Sequence, residues 1–329
     1  MKRRKFIKLL GGTAVLPLAV RAQQSERLKR IVMIQALESS DPEAQLRAKA
    51  FQQRLVELGW IEGRNVRIDY RWIGSNPDRI RSNVAEVASL KPDVIFAAAT
   101  PVVAALRDET RAVPIVFVQV VDPVAAGLVA SLGRPGGNIT GVTNFEYAMG
   151  GKWLEALKEV SPSLVRVAVI YSPKTAPYAK SLLRSIADAA PSFSIEPIDT
   201  PYHEASEINL VIDNFAQTPN GGLVVLPDTS TLAHRDRIIE GAARHRLPAI
   251  YPFRYFVASG GLMSYGTDSI GAVKQATSYV DRILRGAHPD ELPVQAPNNF
   301  DLVLNLKTAK ALGVDLPPTL LARADDVIE

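Results

Sequence analysis

Four apolar segments of the sequence end in a polar residue that is followed directly by proline. The pairs are Asp41-Pro42, Thr100-Pro101, Asp122-Pro123 and Ser172-Pro173. The polar side chain can cap free N–H groups at a helix start, and proline suits the first helical turn because it has no N–H to leave unpaired. Repeated strand-to-helix transitions of this kind predict an α/β fold.

Apolar segments of strand length alternate with amphipathic segments of helix length along most of the chain. The first half predicts strands at 30–37, 65–72, 92–97 and 115–120, with helices at 43–58, 76–90 and 100–111. The second half predicts helices at 147–160, 175–190, 205–216, 228–245 and 270–285, and strands at 165–171, 193–198, 222–226, 248–251, 261–265 and 293–304. This order predicts a mostly parallel, doubly wound sheet in each half.

The stretch from 114 to 145 joins the two halves. It predicts a buried strand, then Asp122-Pro123 with a short apolar helix, then a turn at Gly136-Gly137-Asn138 and a second extended segment. We expect this stretch to form one wall of a ligand cleft and then to cross from one lobe to the other.

Ligands of open α/β sheets bind beyond the carboxyl ends of the strands, where these polar residues lie. Asp228 ends a fifth strand and can cap a helix without a proline. Free helix amides favour a carboxylate, and Thr100 leaves its helix end open to one. Asp122 and Asp228 would instead hold an ammonium or a hydroxyl. Each pair alone is explained by helix capping, but together they predict a cleft for a zwitterion such as an amino acid, or for a neutral polar molecule.

Aromatic residues also lie near the predicted strand ends: Phe145, Tyr147, Tyr171, Tyr178, Tyr251, Tyr255 and Tyr265. Any one of them is more often a core residue than a ligand contact. Tyr265 and Phe145 are the better candidates for ligand contact because they border the predicted crossings.

Sequence motifs of enzymes and of cofactor sites are lacking. Ser264 has Leu262 two positions before it, which rules out a GxSxG motif, and the four histidines have no HxxxH or HExxH spacing. Residues 133–137 lack the Lys-Ser/Thr of a phosphate-binding loop, and no GxGxxG follows the first strand. We therefore expect no catalytic residues, no metal and no cofactor, and an exported enzyme is an unsupported alternative.

The N-terminus has the three parts of an export signal, namely MKRRK, the apolar run FIKLLGGTAVLPLAV and a cleavage site at Val20-Arg21-Ala22. The RRxFxK pattern fits twin-arginine export, and the general secretory route remains open. Residues 1–22 hold six of the 38 basic residues and none of the 34 acidic ones, so the remainder has 32 basic against 34 acidic residues, a charge near −2. The basic pI of 9.2 is thus no evidence for nucleic-acid binding.

Several segments resemble the periplasmic substrate-binding proteins of ABC transporters, in the family that includes tryptophan- and tyrosine-type binding components. They are VVDPVAAGLVASLGRPGGNITG, GLMSYGTD, YVDRILRGAHPDELPVQAPNNFDLVLNLKTAKALG and LLARADDVIE. The resemblance implies a type I periplasmic-binding fold, with two doubly wound Rossmann-like lobes and a three-segment hinge at 140–144, 265–267 and 293–298. The predicted units are a cleaved signal peptide (1–22), an N-terminal lobe (28–142 with 266–292) and a C-terminal lobe (143–265 with 293–329).

The resemblance also implies a function and a set of ligand contacts. The chain would capture a small polar organic ligand in the periplasm by hinge closure and deliver it to an inner-membrane permease; a sensor that docks a membrane receptor is the alternative. Many relatives are lipoproteins anchored through cysteine, and because this sequence has no cysteine we expect a free periplasmic monomer. The implied contacts, with Tyr178 added from the aromatic residues, are Leu37, Glu38, Ser39, Ser40, Ala99, Thr100, Asp122, Pro123, Asn144, Phe145, Ser172, Tyr178, Asp228 and Tyr265.

Overall fold

The structure, a computed structural model, describes residues 27–329 apart from Phe145, Tyr147 and Asn298. The predicted signal peptide therefore lies outside the described residues. Within the described part of the chain, no helix is both long and apolar enough to span a bilayer.

Five parallel strands form the first sheet, in the order β2-β1-β3-β4-β5. Its elements are β1 (Lys29–Gln35), α1 (Pro42–Glu57), β2 (Val66–Trp72), α2 (Pro77–Ser89), β3 (Val94–Ala98), α3 (Thr100–Glu109), β4 (Ile115–Val120) and β5 (Ile139–Thr143). β3, β4 and β5 are buried along their whole length, as expected for parallel strands covered by helices on both faces. We call this sheet and its helices the first lobe.

The second sheet has seven strands in the order β12-β11-β10-β9-β8-β6-β7, and only β10 and β11 pair antiparallel. Its strands are β6 (Arg166–Tyr171), β7 (Glu196–Pro201), β8 (Gly221–Val225), β9 (Ala249–Tyr251), β10 (Met263–Thr267), β11 (Phe300–Asn305) and β12 (Asp326–Ile328). The helices are α4 (Met149–Val160), α5 (Ala179–Ala189), α6 (Glu207–Ala216), α7 (Thr229–Ala233), α8 (Arg235–Arg244), α9 (Arg254–Ala258), α10 (Ser269–Leu284), α11 (Leu306–Leu312) and α12 (Pro318–Arg323). The second lobe comprises this sheet and these helices except α10.

Helix α10 follows a strand of the second sheet but packs on the first lobe, where Val273, Ala276 and Val280 share a core with α1. The chain then runs beside β5, where the Gln295 N–H donates to the Gly141 carbonyl at 3.0 Å. It therefore passes between the lobes after β5, after β10 and before β11. The predicted fold class is thus confirmed: two doubly wound α/β lobes are joined by three chain segments. The residue boundaries of the lobes stay a prediction.

The prediction of a helix after Asp122-Pro123 is wrong. The segment makes a single turn, in which the Ala126 N–H donates to the Asp122 carbonyl at 3.0 Å. Gly127 has φ +65° and ends that turn, because a left-handed residue of this kind terminates a helix. Asp122 itself has φ +43°, and its side chain accepts a hydrogen bond from the Ala125 N–H at 3.0 Å.

Two other helices differ from their predicted bounds, and several short elements were not predicted. Ser172-Pro173 starts a turn, and α5 begins only at Ala179 because Pro177 disfavours helical backbone at the residue before it. The helix predicted over 228–245 is divided at His234 into α7 and α8. A 3-10 helix at Ala190–Phe193 delays β7 to Glu196. The unpredicted elements are α9, α11, α12 and β12.

Candidate ligand-binding site

A cavity lies between the two lobes, at the carboxyl ends of β1, β3, β4 and β8, and holds about 410 Å³ of free space that includes its opening to solvent. The first lobe and the passage after β5 contribute Ala36, Leu37, Arg47, Ala98, Ala99, Thr100, Gln119 and Asn144 to its wall. The second lobe contributes Tyr178, Pro227, Asp228, Thr229, Leu232, Phe253 and Tyr255. The wall is mostly apolar and aromatic, with a few polar groups, which is typical of small-molecule sites.

Six of the predicted contact residues line this cavity: Leu37, Ala99, Thr100, Asn144, Tyr178 and Asp228. The others lie outside its wall: Glu38, Ser39, Ser40, Asp122, Pro123, Ser172 and Tyr265. Phe145 falls outside the described residues. The structure thus brings together predicted residues from the loops just after β1, β3 and β8, while a role in binding stays a prediction for every one of them.

The predicted residues outside the wall have other contacts. Glu38 is exposed and accepts a hydrogen bond from Arg79 at 2.6 Å, and Ser39 and Ser40 are exposed. Pro123 is buried in the turn after β4. Tyr265 packs its ring against Phe300. Ser172 acts on the cavity indirectly, because its N–H donates to Asp228.

Asp228 is a buried carboxylate at the N-terminus of α7. Its Oδ1 accepts from the Ser230 N–H at 3.1 Å, and its Oδ2 accepts from the Ser172 N–H at 2.9 Å. Burial raises its pKa to about 6, although hydrogen bonds from the Thr175 side chain and from the backbone of Ser172, Ser230 and Thr231 oppose the shift by stabilising the charged form. The site therefore offers a desolvated negative charge that can accept an ammonium group.

The prediction that Thr100 caps a helix is wrong, because Thr100 is the first residue of α3 and Ala99 occupies the N-cap position. The Thr100 hydroxyl accepts a hydrogen bond from the Val121 N–H at 3.2 Å, and no side chain caps the helix. Ala99 and Thr100 both line the cavity, so this helix end borders the candidate site.

Arg47, Gln119, Thr229 and Phe253 line the cavity but were not predicted from the sequence, and Tyr255 was named among the aromatic residues near the cleft but not among the predicted contacts. Arg47 lies on the buried face of α1, where its Nε donates to Glu43 Oε1 at 2.8 Å. A charged residue in phase with the apolar residues of an amphipathic helix is a usable clue, because a buried charge needs a partner or a ligand. Tyr255 belongs to α9, which at five residues is too short to show a periodic pattern.

Several buried polar atoms around the cavity have no hydrogen-bond partner among the described residues. They are Arg47 Nη2, Gln119 Nε2, Asn144 Oδ1 and Thr229 Oγ1. Gln119 and Asn144 share one hydrogen bond at 3.2 Å, and so each amide keeps one unused group. Leaving such a group buried and unpaired costs about 1–3 kcal/mol. Their grouping around one cavity indicates that a polar ligand supplies the missing partners.

Strained backbone is also found at this wall. Ala99 has φ +95° and Gln119 has φ +58°, in a region that favours glycine. Gln119 lies where the pairing of β4 with β5 shifts register, and such irregularities redirect side chains near binding sites. Each strained residue costs about 1–3 kcal/mol, and strain of this kind clusters at functional sites.

The lobes contact each other beside the cavity. Arg235 of α8 donates to Asp41 Oδ2 at 2.7 Å, and the two side chains are only 14% and 12% exposed. The guanidinium of Arg47 lies 5.7 Å from the ring centre of Tyr255. Leu37 and Ala44 of the first lobe share an apolar cluster with Phe253 of the second. Contacts between the lobes therefore border the cavity.

Comparison with known proteins gives a consistent result over nearly the whole described chain. A family model described as "ABC transporter substrate binding protein" matches residues 31–328. A tyrosine-binding protein from Clostridioides difficile (strain R20291) is 28% identical over 296 residues, which cover 88% of this chain and 82% of that protein.

Two solved structures are similar in fold. An ABC domain from Streptococcus pneumoniae in complex with L-Trp has a TM-score of 0.85 and 22% identity, covering 92% of this chain and 100% of that one. The ligand-free, open structure of a substrate-binding protein with adhesive properties from Clostridium difficile has a TM-score of 0.67 and 25% identity, covering 92% of this chain and 99% of that one.

Proposed function

The chain belongs to the family of ABC transporter substrate-binding proteins, and on this premise we propose that it binds an amino acid with a large apolar or aromatic side chain for import. Members of this family bind small molecules and work with an ABC permease, and they are not enzymes. We propose the ligand class, the import direction and the location for this chain.

The observation that carries this proposal is the pair of opposite charges on facing lobes of a mainly apolar cavity. Arg47 comes from the first lobe and Asp228 from the second. An amino acid carries one negative and one positive group on the same carbon, which matches such a pair. Sugars lack both charges, and a ligand rich in phosphate would be repelled by the Asp228 carboxylate.

The side chain of the ligand would contact the apolar part of the wall. This part includes Leu37, Tyr178, Leu232, Phe253 and Tyr255. The similar proteins that bind L-Trp and tyrosine support a ligand with an aromatic side chain.

We propose that the ligand is captured by hinge closure and that the described conformation is the closed one. The TM-score is 0.85 to the L-Trp complex and 0.67 to the ligand-free open structure, which supports this assignment. The contacts between the lobes beside the cavity also support it. A ligand that touches both lobes shifts an open–closed equilibrium toward the closed form, which the permease would recognise.

We further propose the organisation and location that the sequence predicts. Residues 28–142 with 266–292 would form one rigid lobe, and residues 143–265 with 293–329 the other. After removal of residues 1–22 the protein would act as a monomer in the periplasm, without a lipid anchor and without nucleic-acid partners. Its proposed partner is a permease of the inner membrane.

A thermal-shift screen of the mature protein against the twenty L-amino acids, sugars and small organic acids tests the ligand class. We expect an aromatic or large aliphatic amino acid to raise the melting temperature, because a ligand at a hundred times its Kd adds about 2.7 kcal/mol to the free energy of unfolding. Native mass spectrometry of gently purified protein should show the same compound. A shift with sugars and none with amino acids would contradict the proposal.

Arg235→Gln tests closure. We expect the bound amino acid to dissociate about tenfold faster, because the variant removes a largely desolvated ion pair that forms between the lobes in the closed state. Stopped-flow fluorescence measures the dissociation rate. The control is Arg244→Gln on the same helix, whose ion pair with Asp213 lies within one lobe. Equal dissociation rates in the Arg235 variant and the wild type would contradict a closing role for the pair.

A further inference from the structure

The guanidinium of Arg47 is the strongest hydrogen-bond donor on the cavity wall, and it is only partly used. Arg47 is 3% exposed, and its Nε donates to Glu43 at 2.8 Å. Its Nη2 has no hydrogen-bond partner among the described residues. A guanidinium has five N–H donors and stays charged, so an unpaired edge in a cavity is a strong site for an anionic oxygen.

Contacts with Glu43 and Tyr255 fix the position of this guanidinium. Glu43 Oε1 accepts from Arg47 and also from the Ser269 hydroxyl at 2.7 Å, which ties α1 to the start of α10. On the other side, the ring of Tyr255 from the second lobe lies 5.7 Å from the guanidinium carbon. Arg47 is therefore preorganised, and a ligand group does not have to order it.

We infer that Arg47 binds the carboxylate of the amino-acid ligand from the first lobe while Asp228 binds its ammonium from the second, so that only a zwitterion joins the two lobes. This inference rests on the proposed function and assigns Arg47 a role as the residue that selects a free carboxylate. The neighbouring amides of Gln119 and Asn144, each with one unused group, lie on the same wall and can complete the polar contacts of the ligand.

If Arg47 binds the carboxylate, the site should discriminate between an amino acid and analogues that lack a free carboxylate. A carboxamide offers Arg47 a neutral oxygen in place of a charged one. An amine without a carboxylate leaves the Nη2 of Arg47 buried and unpaired. Sites built to bind a polar group discriminate strongly against analogues that lack it, because their own buried groups then stay unpaired. An amine can reach Asp228, but it makes no contact with Arg47 and cannot close the cleft in the same way.

The test measures Kd by calorimetry for L-tyrosine, L-tryptophan, L-phenylalanine and L-leucine, each beside its carboxamide and the amine that lacks the carboxylate. For the amino acid that binds, we expect the wild type to prefer it over its carboxamide by about fiftyfold, since a hydrogen bond between charged groups is among the strong ones. In Arg47→Gln we expect the preference to fall below about fivefold, and Arg47→Lys should keep part of it.

Two further variants keep the test decisive. Arg54→Gln is the control, because Arg54 lies on the same helix and pairs with Glu57 at the surface, and we expect the wild-type preference there. Arg47→Gln leaves Glu43 buried and unpaired, so a variant with Glu43→Gln as well removes both charges and is expected to fold and to show the same lost preference.

The possible results separate the inference from the proposed function. If an amino acid binds but its carboxamide binds equally well to the wild type, or if the preference survives in both Arg47→Gln variants, the inference is wrong and the proposed function stands. If neither these four nor any other amino acid with a large apolar or aromatic side chain binds the wild type, the proposed function is wrong and the inference falls with it. Loss of the preference in both variants, with Arg54→Gln unchanged, would establish the role of Arg47.

Discussion

Asp228→Asn is expected to weaken amino-acid binding by about a thousandfold, close to 4 kcal/mol, while the protein keeps its fold. The variant removes the charge that would pair with the ligand ammonium inside a desolvated cavity, and the ammonium then stays buried without a counter-ion. Asparagine has the same shape, and its oxygen can still accept from the N–H of Ser172 or Ser230. Isothermal titration calorimetry measures the affinity, and circular dichroism checks the fold.

The pH dependence of binding follows from the same carboxylate. Burial raises the pKa of Asp228 to about 6, and only the ionised form can pair with an ammonium. The affinity of the wild type should therefore fall by about tenfold per pH unit below pH 6. Asp228→Asn should show no such fall, and Asp236→Asn, an exposed carboxylate on α8, should behave as the wild type. A flat wild-type profile from pH 7 to 5 would contradict the role of Asp228.

The stability of the ligand-free protein should depend on pH in the opposite direction to the affinity for the ligand. The pKa of Asp228 is raised on folding from its ordinary value of 3.8, so the folded state binds a proton more tightly than the unfolded state. The stabilisation from this proton is complete below pH 3.8 and is lost as the pH rises through about 6. Relative to Asp228→Asn, the ligand-free wild type should thus gain stability between pH 7 and pH 5, while it loses affinity for the ligand.

Most of the fold could be predicted because its helix starts and buried strands depend on residues that are adjacent in the sequence. Asp41 accepts from the Glu43 N–H at 2.9 Å and Pro42 occupies the first turn of α1, as the sequence pair indicates. Continuous apolar runs became the buried strands β3 and β4. The same rule failed at Asp122-Pro123 because a following glycine with φ +65° ended the turn, and such backbone angles depend on contacts with the rest of the lobe.

The candidate site could be predicted only in part. Ala99, Thr100 and Asp228 directly follow strands, and the rule for parallel sheets finds such residues from sequence. Arg47 lies inside α1, and it reaches the cavity only because a second lobe covers that helix. Tyr255 lies in α9, more than two hundred residues away in the chain. Contacts of this kind depend on how the lobes pack, which a local pattern does not record.

Gly266→Ala is expected to lower the free energy of unfolding by about 3 kcal/mol or more, enough to unfold many proteins of ordinary stability. Gly266 lies in β10, paired with Asp301 of β11, where the chain is about to pass back to the first lobe. A Cβ at this position would lie 1.7 Å from the Pro252 carbonyl oxygen. Because that obstacle is backbone, no side-chain rotation can relieve it, and β10 would have to move away from the end of β9.

Urea denaturation of the ligand-free protein measures this effect, with Gly137→Ala as the matched control. A Cβ at Gly137 would meet no atom within 4 Å, and so the same substitution should change the free energy of unfolding by less than about 1 kcal/mol. A Gly266 variant as stable as the control would show that β10 can shift freely at the passage between the lobes. A large loss confined to Gly266 would mean that close backbone contact fixes this passage, which would place the proposed hinge bending in the residues after β10.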